Sequence, residues 1–143
     1  KNFFKLPEPI INKAGCNLSF AGLKTAVLYQ LEKLGDPQAH LADLCASFQD
    51  AVIDTLVKKT LKAARQTGHT LITLSGGVAC NRTLQEALTL AAQNAGIKVQ
   101  PTPPALTTDN AGMIALAALL ASENRPSDSL EIGIDPNLVL ATP

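Results

Sequence analysis

Apolar residues recur at helical spacing from Leu23 through Val27 and Leu31 to Leu34, which predicts a helix that starts at Gly22 and ends at Gly35. A glycine just past the last periodic position suits a left-handed C-cap. Asp36-Pro37 then restarts the chain, with Asp36 as N-cap and Pro37 as the first helical residue. The next stripe runs Leu41, Leu44, Cys45, Phe48, Val52, Leu56, Leu61 and Ala64, and Gly68 stops it. By its spacing this helix makes about eight turns. The compact, β-branched run Thr70-Leu71-Ile72-Thr73-Leu74 predicts a buried, parallel strand, because helical patterns flank it on both sides.

A helix carrying Leu84, Leu88, Ala91 and Ala95 follows, closed by Gly96, and Ile97-Lys98-Val99 predicts a second short strand. Pro101, Pro103 and Pro104 stiffen a loop. Thr107-Thr108-Asp109 is placed to cap a last helix with Met113, Ile114, Leu116, Ala117 and Leu120 on its apolar side. Before all this, Pro7 and Pro9 forbid a regular helix, and Leu18-Ser19-Phe20 predicts one brief strand. Residues 122–143 read as a polar loop with a short strand near Leu138-Val139-Leu140. The order helix, helix, strand, helix, strand, helix describes an α/β layer fold, with helices packed on a small mixed sheet.

Composition narrows the function classes. The 143 residues are 46% hydrophobic with formal net charge +0, which predicts one core and no general basic field. Any nucleic-acid contact must then be local, or completed by other parts of a larger protein. Cys16, Cys45 and Cys80 are odd in number and form no C-x-x-C pair, so each is expected as a small packed apolar residue in a reducing cytosol. No apolar run approaches the roughly 20 residues of a membrane span. The chain opens on Lys1 without a methionine or a signal-peptide pattern, a hint of truncation.

Chemistry has three places to sit. At Ser75-Gly76-Gly77 two glycines follow a strand and precede a helix, so backbone can approach an anionic ligand beside free helix amides. The plainer reading is a tight turn that needs glycine for its geometry. Asn81 is either a hydrogen-bonding group over those glycines or the N-cap of the next helix, and the residues alone favour the cap. Asp109 is either a metal ligand or a carboxylate favoured by a helix dipole. The histidines, His40 and His69, are 29 positions apart and form no ligand pair with each other. His40 is expected on the surface and His69 beside the C-cap glycine. Lys24 and Arg82 are candidate phosphate contacts, though solvated surface charge is their commoner state. A G-x-S-x-G elbow is missing, which argues against a free-standing hydrolase.

Three blocks carry a family resemblance. Ser19-Phe20-Ala21-Gly22-Leu23-Lys24-Thr25-Ala26 resembles an F-S-G-L-K-T-A signature, Ser75 to Leu84 a G-G-V-x-x-N-x-x-L segment, and Thr108 to Ala115 a T-D-N-x-x-M-I-A segment. Together, from about Phe3 to Leu120, they resemble the tRNA N6-adenosine threonylcarbamoyltransferases, once described as O-sialoglycoprotein endopeptidases.

The resemblance implies a lobe of an actin-like ATPase fold of the sugar-kinase and Hsp70 superfamily. Residues 1–143 would be a C-terminal lobe fragment, with the N-terminal lobe absent. It implies transfer of a threonylcarbamoyl group from an adenylate donor to the adenosine next to the anticodon, in tRNAs reading codons that start with A. Asn81, Gly76 and Gly77 would then bind donor, and Asp109 would hold one iron or zinc ion with ligands from outside the chain. tRNA, a paralogous subunit and an ATPase subunit are the implied partners, in the cytoplasm.

The departures are specific. The family's H-x-x-x-H pair is missing, and Ala21 stands at a usual serine. The chain alone is therefore expected to bind metal poorly and to catalyse nothing, and an isolated lobe would expose apolar surface that favours a homodimer. Two other readings stay open: a non-catalytic paralogue, or another carbamoyltransferase or ATPase of the superfamily. The mechanism requires Gly76-Gly77 and the Asp109 carboxylate to converge on one cavity.

Overall fold

The computed structural model describes residues 3–122 and Gly133. The chain divides into two compact units, Lys1–Thr108 and Asp109–Pro143. In the first unit helix α1 spans Ala21–Lys33, a 3-10 turn covers Gln38–His40, and helix α2 spans Leu41–Thr67. Strand β1 (Leu71–Leu74), a 3-10 turn (Gly77–Cys80), helix α3 (Arg82–Gln93) and strand β2 (Lys98–Pro101) follow. A last 3-10 turn at Pro104–Leu106 completes this unit.

β1 and β2 pair in parallel, with Leu71 opposite Lys98 and Leu74 opposite Pro101. β1, α3 and β2 thus form one βαβ unit, in which α3 is the crossover that parallel strands require. Among the described residues the sheet is parallel throughout, its two strands joined by a helical crossover and not a hairpin, and no antiparallel part of the expected mixed sheet lies among them. The core lies where α2 and α3 meet over this sheet. Leu61 and Ala64 from α2 meet Leu88 and Ala92 from α3 and Ile97, with Ile72, Leu74 and Val99 packed against them.

The strand is not buried on both faces as its composition suggested. Ile72 and Leu74 point to the core, while Leu71, on the alternate face, is 49% exposed. The 18–20 segment forms no strand, and Leu18 is exposed. The cysteine expectation also fails, because Cys45 and Cys80 are exposed and Cys16 only half-buried. On α2 the buried face includes Leu44, Ser47, Ala51, Thr55 and Leu61, so Cys45 and Phe48 at the stripe's edge turn outward. Ser47 and Thr55 survive burial by donating to the carbonyls of Asp43 and Ala51, both at 2.8 Å.

Two glycines end helices as predicted. Gly68 (φ 70°) terminates α2, and the amides of Gly68 and His69 both donate to Ala64 O. Gly96 (φ 68°) closes α3 in a Schellman motif: Ile97 N reaches Ala92 O at 2.9 Å and Gly96 N reaches Gln93 O at 3.0 Å. Ile97 and Ala92 are both buried, so this cap also supplies core contact.

Gly35 does not play that part. α1 ends one residue earlier, at an extended Leu34 whose amide donates to Gln30 O and Leu31 O. With those carbonyls satisfied, no left-handed residue is needed. Asp36 does cap, but it accepts from Gln38 N at 3.0 Å and so serves the 3-10 turn, while α2 itself begins at Leu41.

The second unit contains α4, Ala111–Ser122. Asn110, not the 107–109 triplet, provides its side-chain cap, with Oδ1 accepting from Met113 N at 3.0 Å. An N-cap oxygen must reach the third helical amide, which places the cap immediately before Ala111. No residue of α4 is buried; Ile114 is 70% exposed and Leu119 61%. The expected loop beyond Ser122 and strand at 138–140 lie outside the described residues.

Leu88 is 1% exposed at the centre of the core. Leu88→Ala is expected to lower unfolding free energy by about 2–5 kcal/mol in urea titration. Gly96→Ala is expected to cost roughly 1 kcal/mol in the same titration, because alanine resists the left-handed cap.

Candidate nucleotide-binding turn

The chain leaves β1 at Leu74 and must reverse within a few residues to start α3. Gly76 makes this possible at φ 89°, ψ 168°, a region essentially reserved for glycine. A Cβ built on Gly76 or on Gly77 would meet nothing within 4 Å. Glycine at 76 is therefore demanded by dihedral angle rather than by crowding, and the turn presents bare backbone to solvent. Ser75, Gly76, Gly77 and Val78 are all exposed, Val78 to 66%.

The floor beneath this turn is held from three directions. Asn81 Oδ1 accepts from Leu84 N at 3.0 Å, the N-cap of α3, while its Nδ2 donates to Gln49 Oε1 of α2 at 3.0 Å. Gln85 Nε2 donates to Ala79 O at 2.6 Å. Cys80 Sγ lies 3.1 Å from Thr107 Oγ1, which in turn donates to Pro104 O at 2.7 Å. With its own proton committed, the threonine accepts from the thiol.

The turn is thus tied to α2, to α3 and to the proline loop after β2. Both ends of Asn81 are engaged, so its cap role is realised in the structure. Gln49 and Gln85 were not singled out by sequence, and Thr107 was named only as part of a cap for the last helix. Gln85 alone had a signal, sitting one helical turn beyond Asn81; Gln49 and Thr107 are brought in by tertiary packing.

Gly76, Gly77 and Asn81 therefore lie on one connection of the first unit, between β1 and α3. Asp109 belongs to the second, where it is exposed just before Asn110 and α4. Among the described residues no group of three or more His, Cys, Asp or Glu side chains is arranged to hold a metal ion. Asp109 fits a metal centre as one oxygen donor, and the donor set is incomplete without others.

His69 is exposed behind Gly68, as its sequence position suggested. His40 departs from expectation: it is half-buried and stacks on Phe3, with centroids 6.3 Å apart, and meets Phe4 edge-on at the same distance. Two apolar rings at the N-terminal end draw it in. Arg82 is exposed at the first position of α3. Lys24 lines a cavity of about 380 Å³ with Thr25, Val27, Leu28, Leu31 and Phe48, between α1 and α2. A shallower hollow of about 500 Å³ lies along α3, lined by Gln85, Glu86, Thr89, Leu90, Gln93 and Pro101. Neither cavity includes the glycine turn. No helix among the described residues is long and apolar enough to cross a membrane.

Comparison with known proteins adds identity to this geometry. The family described as TsaD, tRNA N6-adenosine threonylcarbamoyltransferase, matches residues 1–116. The tRNA N6-adenosine threonylcarbamoyltransferase of Verminephrobacter eiseniae is 50% identical over 118 residues, covering 82% of this chain and 34% of that protein. The Variovorax paradoxus protein of the same name is 43% identical over 90% of this chain and 37% of its own length. The protein of that name from Thermosipho africanus is 39% identical over 96% of this chain and 42% of its own. The chain thus spans about a third of the length of the curated relatives it first matches. By a match that runs through the glycine turn, Asn81 and Asp109, the chain belongs to the tRNA N6-adenosine threonylcarbamoyltransferase family.

Proposed function

We propose that this chain is the part of a tRNA N6-adenosine threonylcarbamoyltransferase that presents the glycine turn to the donor. The protein would move a threonylcarbamoyl group from threonylcarbamoyl-adenylate to N6 of the adenosine beside the anticodon, in tRNAs reading codons that start with A. The observation that carries this is Gly76: a glycine-only conformation opens bare backbone at the end of a parallel strand, inside the matched region. Ligands gather at such strand ends in α/β sheets, where helix amides favour anions. The parallel β1–α3–β2 unit supports an actin-like ATPase lobe, and the exposed apolar side chains of α4 suit burial against further parts of a longer protein. That same surface would drive homodimerisation of the isolated 143 residues.

In this mechanism Gly76 and Gly77 let the adenylate lie against backbone. The N-terminal end of α3 stabilises its phosphate charge. The new N6–carbon bond forms as the carbon–oxygen bond to the adenylate phosphate breaks, so AMP leaves and N6 gives up a proton. Asn81 keeps its oxygen on Leu84 N and turns its amide nitrogen from Gln49 towards the donor. Asp109 would hold iron or zinc as one carboxylate ligand, and the metal, when bound, would supply charge stabilisation. Its other ligands, tRNA contacts and the paralogous and ATPase partners belong to the whole cytoplasmic protein, so the 143 residues alone should not turn over.

A second reading is a non-catalytic partner subunit. It is favoured by one observation, that both amide atoms of Asn81 are already used within the chain.

Threonylcarbamoyl transfer by the wild-type full-length protein separates the two, and Asn81→Asp tests the donor contact within the first. Aspartate keeps the capping oxygen but removes the amide donor, so the fold is retained. In the full-length protein a donor-binding Asn81 predicts a roughly 10- to 100-fold loss of threonylcarbamoyl transfer, the worth of one hydrogen bond to a charged group. Unchanged transfer would leave Asn81 as a cap only. Asp109→Asn in the full-length protein is expected to lower bound metal per chain, read by elemental analysis, without shifting the melting temperature of the first unit. Undiminished metal content would remove Asp109 from the ligand set.

A further inference from the structure

The net charge of zero conceals a segregation. Residues 9–31 and 55–85 contain no aspartate or glutamate, yet hold seven of the twelve lysines and arginines: Lys13 and Lys24 in the first, and Lys58, Lys59, Lys62, Arg65 and Arg82 in the second. The fold lays these two acid-free stretches side by side. Lys58 binds Glu8, Lys59 Nζ donates to Lys13 O at 3.2 Å and to Gly15 O at 3.1 Å, and Lys62 Nζ donates to the same Gly15 O at 3.1 Å. Cys16 Sγ then donates to Gln66 Oε1 at 3.1 Å. The segment 8–16 is therefore a strap running along the second half of α2 in the same direction.

Gly15 (φ 79°) turns its carbonyl towards both amines. Two ammonium groups on one oxygen sit close together, and among the described residues neither has a carboxylate partner. Only Lys58 of this group is ion-paired, to Glu8 and Asp54. Lys59 is 2% exposed, so its ammonium pins the strap from beneath and does not itself face solvent. Lys13 and Arg65 are exposed and Lys62 is half-exposed. Cations in the last turns of a helix do suit its dipole, which accounts for α2 alone. It does not account for residues 13–16 of the strap, which bring a further lysine and no acid beside Lys62 and Arg65.

We propose that the strap at 13–16 and the second half of α2 form a contact surface for the phosphodiester backbone of an RNA strand. Lys13, Lys62 and Arg65 meet phosphates, and Lys59 is the positioning residue beneath them. This rests on the reading of the whole protein as a tRNA-modifying enzyme. The shape argues for an extended polyanion over a single small anion, because neither described cavity is lined by these residues. Lys62 and Arg65 follow one another along the helix, about 4.5 Å apart in rise. The strap offers Asn12, Ala14, Gly15 and Asn17 rather than the aromatic anchors of a protein interface.

The test uses the full-length protein and its tRNA, with affinity measured by fluorescence anisotropy across a potassium chloride series. Lys62→Gln with Arg65→Gln is expected to weaken binding roughly tenfold at low salt and to lower the slope of log affinity against log salt by about 2. Lys62→Arg with Arg65→Lys should keep both values. Should the double glutamine variant fold poorly, Lys13→Gln alone is expected to lower the slope by about 1.

Wild-type affinity and slope in these variants overturn the surface. If wild-type protein still modifies tRNA in that case, the functional reading stands without it; if wild type neither binds nor modifies tRNA, both fall. Loss of a protein partner with tRNA affinity unchanged also overturns it.

Discussion

Leu88 and Ala92 of α3 close against Leu61 and Ala64 of α2, and nearly every other feature of the first unit is positioned by that seam. Removing these small and medium apolar faces from water is the main stabilising term available, because the sheet has two strands and one covered face. The seam fixes the distance between α2 and the start of α3, and so allows Gln49 to reach Asn81. It also sets the Schellman cap at Gly96, whose Ile97 returns to the same core and delivers the chain into β2 in parallel register. The glycine turn is open because both helices pack below it rather than over it.

At Asn81 two uses of one side chain meet. Its oxygen is committed to Leu84 N, and a buried or half-buried helix start without that acceptor would leave amides unsatisfied. Its nitrogen is bound only to another neutral side chain, Gln49, which is the weaker commitment. Capping and ligand binding therefore need not compete for the same atom. The cap orients the side chain, and the amide donor stays exchangeable between a protein partner and a ligand.

The helices and the parallel strands were legible because their signals are local: apolar spacing for α2 and α3, and left-handed glycines at 68 and 96. Gly35 misled because a glycine just past the last periodic apolar residue suits a left-handed C-cap, whereas Leu34 satisfies the last turn in an extended conformation. β1 looked fully buried because Thr70 to Leu74 is apolar throughout; sequence cannot tell that only one face of a two-stranded sheet meets helices. Cys45 and Cys80 failed for a related reason, since residue type gives a preference while packing decides the face. The candidate site divides the same way. Gly76, Asn81 and Asp109 could be named from motifs, but Gln49 and Thr107 arrive from 32 and 27 residues away, and no local pattern announces them.

Charge was the feature that bulk composition hid most completely. An equal count of acids and bases says nothing about field if the two are placed on different elements, and a Debye length of about 8–10 Å at ordinary ionic strength makes local placement decisive. In α2 the acids Asp43, Asp50 and Asp54 precede the bases Lys58, Lys59, Lys62 and Arg65, so the helix already separates its charges along its axis. The strap then reinforces one end instead of neutralising it. It can do so because it binds Lys59 and Lys62 through backbone carbonyls in place of carboxylates, which satisfy ammonium protons without cancelling their charge. A fold that ties a loop down with carbonyls keeps the cation's field; one that used acids would have tied the same loop and lost it.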